Sequence, residues 1–222
     1  MSKHPLKKSD MGKAWIKPRR NIYQMIAPEF HLIVSEGTDT EPAYFESLKK
    51  RIESKYRGRI FLDISGKGDN TLSLFNRAVN DVSKSNIIYK HVWLVYDKDD
   101  FPAEHFDRTA QLCLSSSTDE TAFHAIWSNQ CFELWFLLHF MFLQSDLNRS
   151  EYWPKLSAKL KAMGFGEYTK NRPDMFDILH PYMNDAITNA QKLEEINLGK
   201  APSKSAPGTM LHILIERLMP YL

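Results

Sequence analysis

HLIVSEGTDTE, residues 31–41, decides how this chain is read. The apolar run Leu32-Ile33-Val34 is short and β-branched, which predicts a buried strand. Ser35-Glu36-Gly37 ends the run at a sharp turn, and Pro42 suits the first turn of a helix because it has no amide hydrogen to leave unpaired. The stretch therefore reads as a strand that delivers Glu36 to a turn, with Asp39 and Glu41 close behind. A second apolar run, Val92-Trp93-Leu94-Val95-Tyr96, also ends in carboxylates, at Asp97-Lys98-Asp99-Asp100.

Working outward, the pattern alternates strand and helix. Tyr44, Phe45, Leu48 and Ile52 recur at helical spacing up to about Lys55, and Gly58 ends that helix. Residues 59–65 alternate as a second strand. The turn Gly66-Lys67-Gly68-Asp69-Asn70-Thr71 leads into a helix from Leu72 to about Ser85, and residues 91–96 form the third strand. Pro102 to about Leu114 predicts a third helix, Ala122 to Trp127 a fourth strand, and Ser128-Asn129 an N-cap for a fourth helix through Leu143. Helical crossovers between successive strands predict an α/β fold: a mostly parallel sheet with helices on both faces. Helices are then expected at Tyr152–Met163, from Met175 to about Leu198, and at Met210–Leu218, with a Pro/Gly/Ser/Lys loop over 199–208. The expected organisation is an N-terminal arm (1–28), an α/β core (29–145) and a C-terminal helical extension packed on the core (146–222).

Composition narrows the class. The 222 residues are 43% hydrophobic and 25% charged, as in soluble globular proteins. Cys113 and Cys131 form no disulfide framework and no metal-ligand spacing, which fits a reducing cytoplasm and argues against structural zinc. Leu134–Leu143 is too short to span a bilayer, and the start of the chain lacks the apolar segment of a signal peptide, so no membrane association is expected. Residues 1–20 carry seven Lys and Arg against Asp10 alone, although the whole chain is only +2, so a basic arm precedes an acidic body. The arm, with Arg19 and Arg20, reads first as a solvated tail and alternatively as a phosphate contact.

In an open parallel sheet, ligands bind outside the carboxyl ends of the strands. Glu36, Asp97 and Asp99 are placed there, and an extended backbone would aim Asp97 and Asp99 to one side. Clustered carboxylates are hard oxygen ligands suited to Mg²⁺ or Mn²⁺, and without a cation they would repel until one was protonated. Ordinary turn and cap residues are the alternative, since Asp is common in such loops. Glu133, inside the apolar run Cys131–Leu138, either points to solvent or faces a functional cleft. The 66–71 turn could offer backbone amides and Lys67 to a phosphate, although it is not a Walker A sequence. His31, His91, His124 and His139 lie on apolar elements and read as core or rim residues. No GxSxG elbow is present for a serine hydrolase.

Glu36-Gly37 at one strand end and Asp97-x-Asp99 at another resemble the Toprim domain of topoisomerases, bacterial-type primases, recombination mediators and OLD-type nucleases. IVSEGTDTEPAYFESL, GKGDNTLSL, HVWLVYDKDDF, AIWSNQCFELWFLLHF and SAPGTMLHILIERL together resemble the RloB-like family, which includes AbiLii-type abortive-infection proteins; the likeness spans about residues 30–222. The resemblance implies a Toprim-like fold and a defence role against phage or foreign DNA beside an AAA/ABC-type ATPase partner. It implies Glu36, Asp97 and Asp99 as catalytic metal ligands, Glu41 and Glu133 as further metal ligands, and Mg²⁺ or Mn²⁺ as cofactor. Asp39 stands where a Lys is expected in many relatives.

The expected activity is metal-dependent phosphodiester hydrolysis of DNA or RNA, with Lys67, Lys98, Arg19 and Arg20 meeting substrate phosphates. The chain lacks the length for topoisomerase gates or a primase's template-binding domains. The alternatives are a non-catalytic partner or regulator of the ATPase, and a plain α/β binding module with acidic turns.

Overall fold

The computed structural model describes residues 27–66, 71–99 and 102–222. Strands β1 (Glu29–Ser35), β2 (Ile60–Gly66), β3 (His91–Asp97) and β4 (Ala122–Asn129) alternate with α1 (Thr40–Tyr56), α2 (Thr71–Lys84) and α3 (Ala103–Ser116). The first four strands are all parallel, in the order β2-β1-β3-β4. A two-residue β5 (Gly208–Thr209) closes the far edge antiparallel to β4. The chain leaves β1 for one neighbour and returns to β3 on its other side. The carboxyl ends of β1 and β3 therefore flank the point where the winding reverses.

Strand periodicity sorts side chains onto two faces. Leu32, Val34, Val92, Leu94, Tyr96 and Trp127 pack with α2 and α3 through Leu74, Phe75, Ala78 and Phe106. Ile33, Trp93, Val95 and Ile126 face the opposite way, onto α1 and the C-terminal helices α4 (Glu133–Leu138), α5 (Arg149–Ala162), α6 (Met175–Leu179), α7 (Met183–Ile196) and α8 (Leu211–Leu218). Helices thus cover both faces, and the C-terminal helical region shares one apolar core with the sheet. The alternation of strand and helix predicts an α/β, mostly parallel sheet followed by a C-terminal helical region, and that is the architecture found.

Three local expectations are corrected. Ser128-Asn129 does not cap a helix but ends β4: Ser128 Oγ lies 3.0 Å from Thr209 Oγ1, and Asn129 Nδ2 donates to the carbonyls of Pro202 and Ser203. The helix that follows runs only over Glu133–Leu138. The helix expected from Met175 to Leu198 is divided by a 3₁₀ turn at His180-Pro181-Tyr182, where proline has no amide to continue the ladder. The 199–208 loop is not all loop, since β5 begins at Gly208 and extends the sheet.

At the amino-terminal end of the sheet, His31, His91, His124 and Trp93 form a stack. Trp93 Nε1 donates to His31 Nδ1 at 3.1 Å, which leaves the His31 proton on Nε2, 2.9 Å from Glu29 Oε1. Glu29 is also held by both N–H contacts from Arg217 Nη2, tying α8 to β1. His91 Nδ1 lies 3.0 Å from His124 Nε2. Burial holds all three imidazoles down at about 4. The depressed values mean the unfolded chain binds more protons between the ordinary 6.5 and about 4. Stability from this stack is therefore full above pH 6.5 and falls as pH drops through that window.

Three outcomes are expected. Ile33 is fully buried, so Ile33→Ala should cost about 2–5 kcal/mol in urea denaturation. Leu114→Ala, at a position 82% exposed, should change stability by no more than about 0.5 kcal/mol. In a pH series of urea midpoints, wild type should weaken from pH 6.5 towards 4, and His124→Gln should reduce that slope.

Candidate active site

The β1 ladder runs one residue past the strand, with Glu36 N–H donating to the Val95 carbonyl at 3.0 Å. Glu36 Oε2 then meets the Asp97 amide at 3.4 Å, so the two strand ends are linked directly. Asp97 shares strand parity with Trp93 and Val95 and so belongs to the face covered by α1 and α4. Its Oδ2 accepts from the Phe132 amide at 3.0 Å, while its Oδ1 is buried with no hydrogen-bond partner among the described residues. Glu41 in the first turn of α1 and Glu133 in the first turn of α4 are both buried on the same side.

Gly37 is what lets Glu41 turn inward. A Cβ there would lie 2.2 and 2.5 Å from the two Glu41 carboxylate oxygens. Gly66, at the end of β2, is equally confined: its Cβ would meet the Gly37 carbonyl at 2.4 Å. Glycine at these positions answers to close approach of backbone and carboxylate.

Glu133 does not face solvent. Its Oε1 accepts from the Tyr168 hydroxyl at 2.9 Å and from Trp153 Nε1 at 3.1 Å. Of the two readings left open for Glu133, the inward one is found. Asp99 departs from the expected extended geometry. The strand ends at Asp97, and Asp99 has φ +38°, a left-handed conformation that Asp tolerates better than most residues. Its carboxylate is turned to Arg149 Nη1 of α5 at 3.1 Å. Asp97 and Asp99 therefore do not point as a pair from one extended strand, although the Asp99 charge still acts on Asp97.

Electrostatics follow from this packing. Burial, then the charges of Glu41, Glu133 and Asp99, push the Asp97 carboxyl well above the usual carboxylate range, against the pull of the Phe132 amide. Glu41 is pushed up to about 7, chiefly by burial and then by Glu133; backbone amides of Glu41 and Gly37, and the charge of Lys170, oppose the shift. Among the described residues, burial and mutual repulsion at this edge outweigh the donors that Asp97 and Glu41 meet. No three His, Cys, Asp or Glu side chains among the described residues are placed so that they could hold one metal ion.

Of the expected phosphate contacts, Lys98 lies in the β3–α3 turn, its amide bonded to the Ser128 carbonyl at 2.9 Å. Lys67, Arg19 and Arg20 lie outside the described residues. Four residues absent from the sequence reading line the site: Arg149, Trp153, Tyr168 and Lys170, all beyond residue 145. A fifth, Arg77 of α2, donates from Nη2 to the Ser35 carbonyl at the end of β1 at 3.1 Å. One signal for Trp153 was available. It lies off the stripe Tyr152–Leu156–Leu160 that buries α5, and one helical turn after Arg149.

A family model described as RloB-like protein matches residues 31–218. The chain belongs to the RloB-like family. The match takes in all of the RloB-like chain's described acidic residues at the site and the helices that wall it. No curated protein and no solved structure matched the chain. Among the described residues, no helix is long and apolar enough to cross a membrane.

Asp97→Asn should remove a carboxylate whose charged form burial, Glu41, Glu133 and Asp99 disfavour. In EDTA at pH 8 it is expected to raise the urea midpoint relative to wild type. A fall would mean that the Phe132 amide bond outweighs the repulsion from Glu41, Glu133 and Asp99.

Proposed function

We propose that this RloB-like protein is a metal-dependent nuclease, hydrolysing phosphodiesters of DNA or RNA. The observation that carries the reading is the buried, unpartnered Oδ1 of Asp97, set at the reversal point of the sheet with Glu36, Glu41 and Glu133 around it. An orphaned carboxylate oxygen in an all-oxygen donor set fits Mg²⁺ or Mn²⁺. Such ions are commonly held by one or two carboxylates, with waters and substrate phosphates completing the shell, so a closed protein cage is not required. Asp97 is the central ligand in this reading, with Glu36 beside it and Glu41, Glu133 and Asp99 as further candidates. When bound, the ion neutralises phosphate charge and supplies activated water.

The chain's own residues set the geometry. The Phe132 amide holds one oxygen of Asp97, and the other is buried without a partner among the described residues. Tyr168 and Trp153 fix Glu133 in the same way. Glu36, half-buried at the mouth, is placed to accept a proton from an attacking water. Lys98 in the β3–α3 turn and Arg149, paired with Asp99, supply positive charge beside the carboxylates that a phosphate backbone would meet. The same reading assigns the protein to a restriction-linked or abortive-infection defence system of the cytoplasm, with an AAA/ABC-type ATPase as partner, as the family relationship implies. A regulator of that ATPase without catalysis is the second reading.

The test is cleavage of single- and double-stranded DNA and RNA with Mg²⁺ or Mn²⁺, with and without the neighbouring ATPase and nucleotide. Glu36→Ala and Asp97→Ala should each lower the rate at least ~100-fold, and EDTA should abolish it. Mn²⁺ should raise the melting temperature of wild type but not of Asp97→Ala. Cleavage unchanged in both variants would overturn the nuclease reading. No cleavage under any condition, with ATPase binding intact, would favour the regulator.

A further inference from the structure

Trp153 is 41% exposed, although tryptophan is ordinarily among the more buried residues. Its neighbours Tyr152, Leu156 and Leu160 already supply the face by which α5 joins the core. Core packing therefore leaves the exposed part of the indole unexplained. The ring is nonetheless held in place. Nε1 donates to Glu133 Oε1 at 3.1 Å, and the Tyr168 ring meets it nearly edge-on, with centroids 5.8 Å apart at 78°. The indole is thus tied to a carboxylate of the acidic site while part of its surface faces outward.

One cation lies on it, and others share its helix. Lys170 Nζ lies over one face of the ring, 5.2 Å from its centroid, so the face available to a base is the one away from Lys170. Arg149, one turn earlier on α5, reaches Asp99 of the site. Lys155, Lys159 and Lys161 are exposed along the same helix. Residues 149–172 carry six Lys and Arg against two Glu. A fixed, partly exposed aromatic ring amid cations, beside a phosphodiester site, combines the two features by which proteins hold single strands. Those features are a stacking surface for a base and a basic track for the backbone.

We propose that Trp153 is the stacking platform for an unpaired nucleobase, and that the substrate is single-stranded nucleic acid or an unpaired loop rather than continuous duplex. This inference rests on the phosphodiester reading of the acidic site. Lys170 and Arg149 meet the phosphates flanking the stacked nucleotide, which lies at the rim of the carboxylate cluster. Stacking is tolerant of sequence because every base has a π-face, but a base inside a duplex already stacks on its neighbours. Trp153 acts as a positioning residue, since it touches substrate away from the reacting bond.

The test is fluorescence anisotropy of labelled single-stranded and blunt duplex oligonucleotides on the full chain, with Ca²⁺ in place of Mg²⁺. Wild type should prefer the single strand. Trp153→Leu, which keeps apolar bulk without an aromatic face, should weaken single-strand binding about tenfold or more and leave duplex binding nearly unchanged. Trp153→Phe should retain most of the affinity. Equal loss on both substrates, no loss in Trp153→Leu, equal loss in Trp153→Phe, or no wild-type preference for single strands would each overturn the platform. The parent reading fails separately. If Asp97→Ala cuts like wild type, the phosphodiester site falls; if Asp97→Ala is dead and Trp153→Leu binds and cuts like wild type, only the platform falls.

Discussion

The parallel pairing of β1 with β3 is the constraint on which the rest of this molecule depends. His31 to Ser35 lie beside His91 to Val95, so both strands finish at one edge. The chain passes from β1 to β2 on one side and to β3 on the other, and neither crossover helix fills the gap between the two strand ends. Residues that follow the strands, Glu36 and Asp97, are delivered into that gap by backbone register alone. A one-residue slip of β3 would send Asp97 to the α2–α3 face and remove it from Glu41 and Glu133.

Holding so much negative charge at a half-dry edge is costly, and the fold offsets it with a large apolar core. Trp93, Tyr44, Phe45, Phe132, Trp135 and Phe136 are almost wholly buried behind the site. The acidic residues are fixed from behind by that core: Asp97 by the Phe132 amide, and Glu41 by its place in the first turn of α1. Gly37 contributes by absence, because any side chain there would occupy the space of the Glu41 carboxylate. The carboxylates are thus backed by close packing, while burial and mutual repulsion disfavour their charged forms.

The C-terminal helices are part of this site rather than an appendage. Arg149 and Trp153, successive on one side of α5, engage Asp99 and Glu133, and Tyr168 engages Glu133 again. The apolar stripe of α5 joins the same core as the sheet, which fixes where its basic and aromatic face can lie. An acidic sheet edge thereby gains a neighbouring element of opposite charge, the contrast that the proposed phosphate contact would use.

Much of this was legible in the residues. The short apolar runs before Glu36 and Asp97 announced buried parallel strands, and helical spacing after each announced the crossovers. The carboxylates at the strand ends could be named because strand direction places them there whatever the remainder does. Helix ends were harder to read: Ser128-Asn129 has the chemistry of a cap, yet β5, some eighty residues later in the chain, claims it as a strand end. The conformation of Asp99 was equally hidden, since its left-handed turn depends on an Arg149 whose partner no local pattern reveals. By itself the sequence determined strand and helix order, the sheet's parallel character and the acidic strand ends, because periodicity and turn chemistry are local. Only the tertiary structure decided that Glu133 faces inward, that Asp97 keeps one oxygen unpartnered, and that Trp153 and Tyr168 close the site. Those outcomes depend on which distant surfaces meet, and packing alone chooses them.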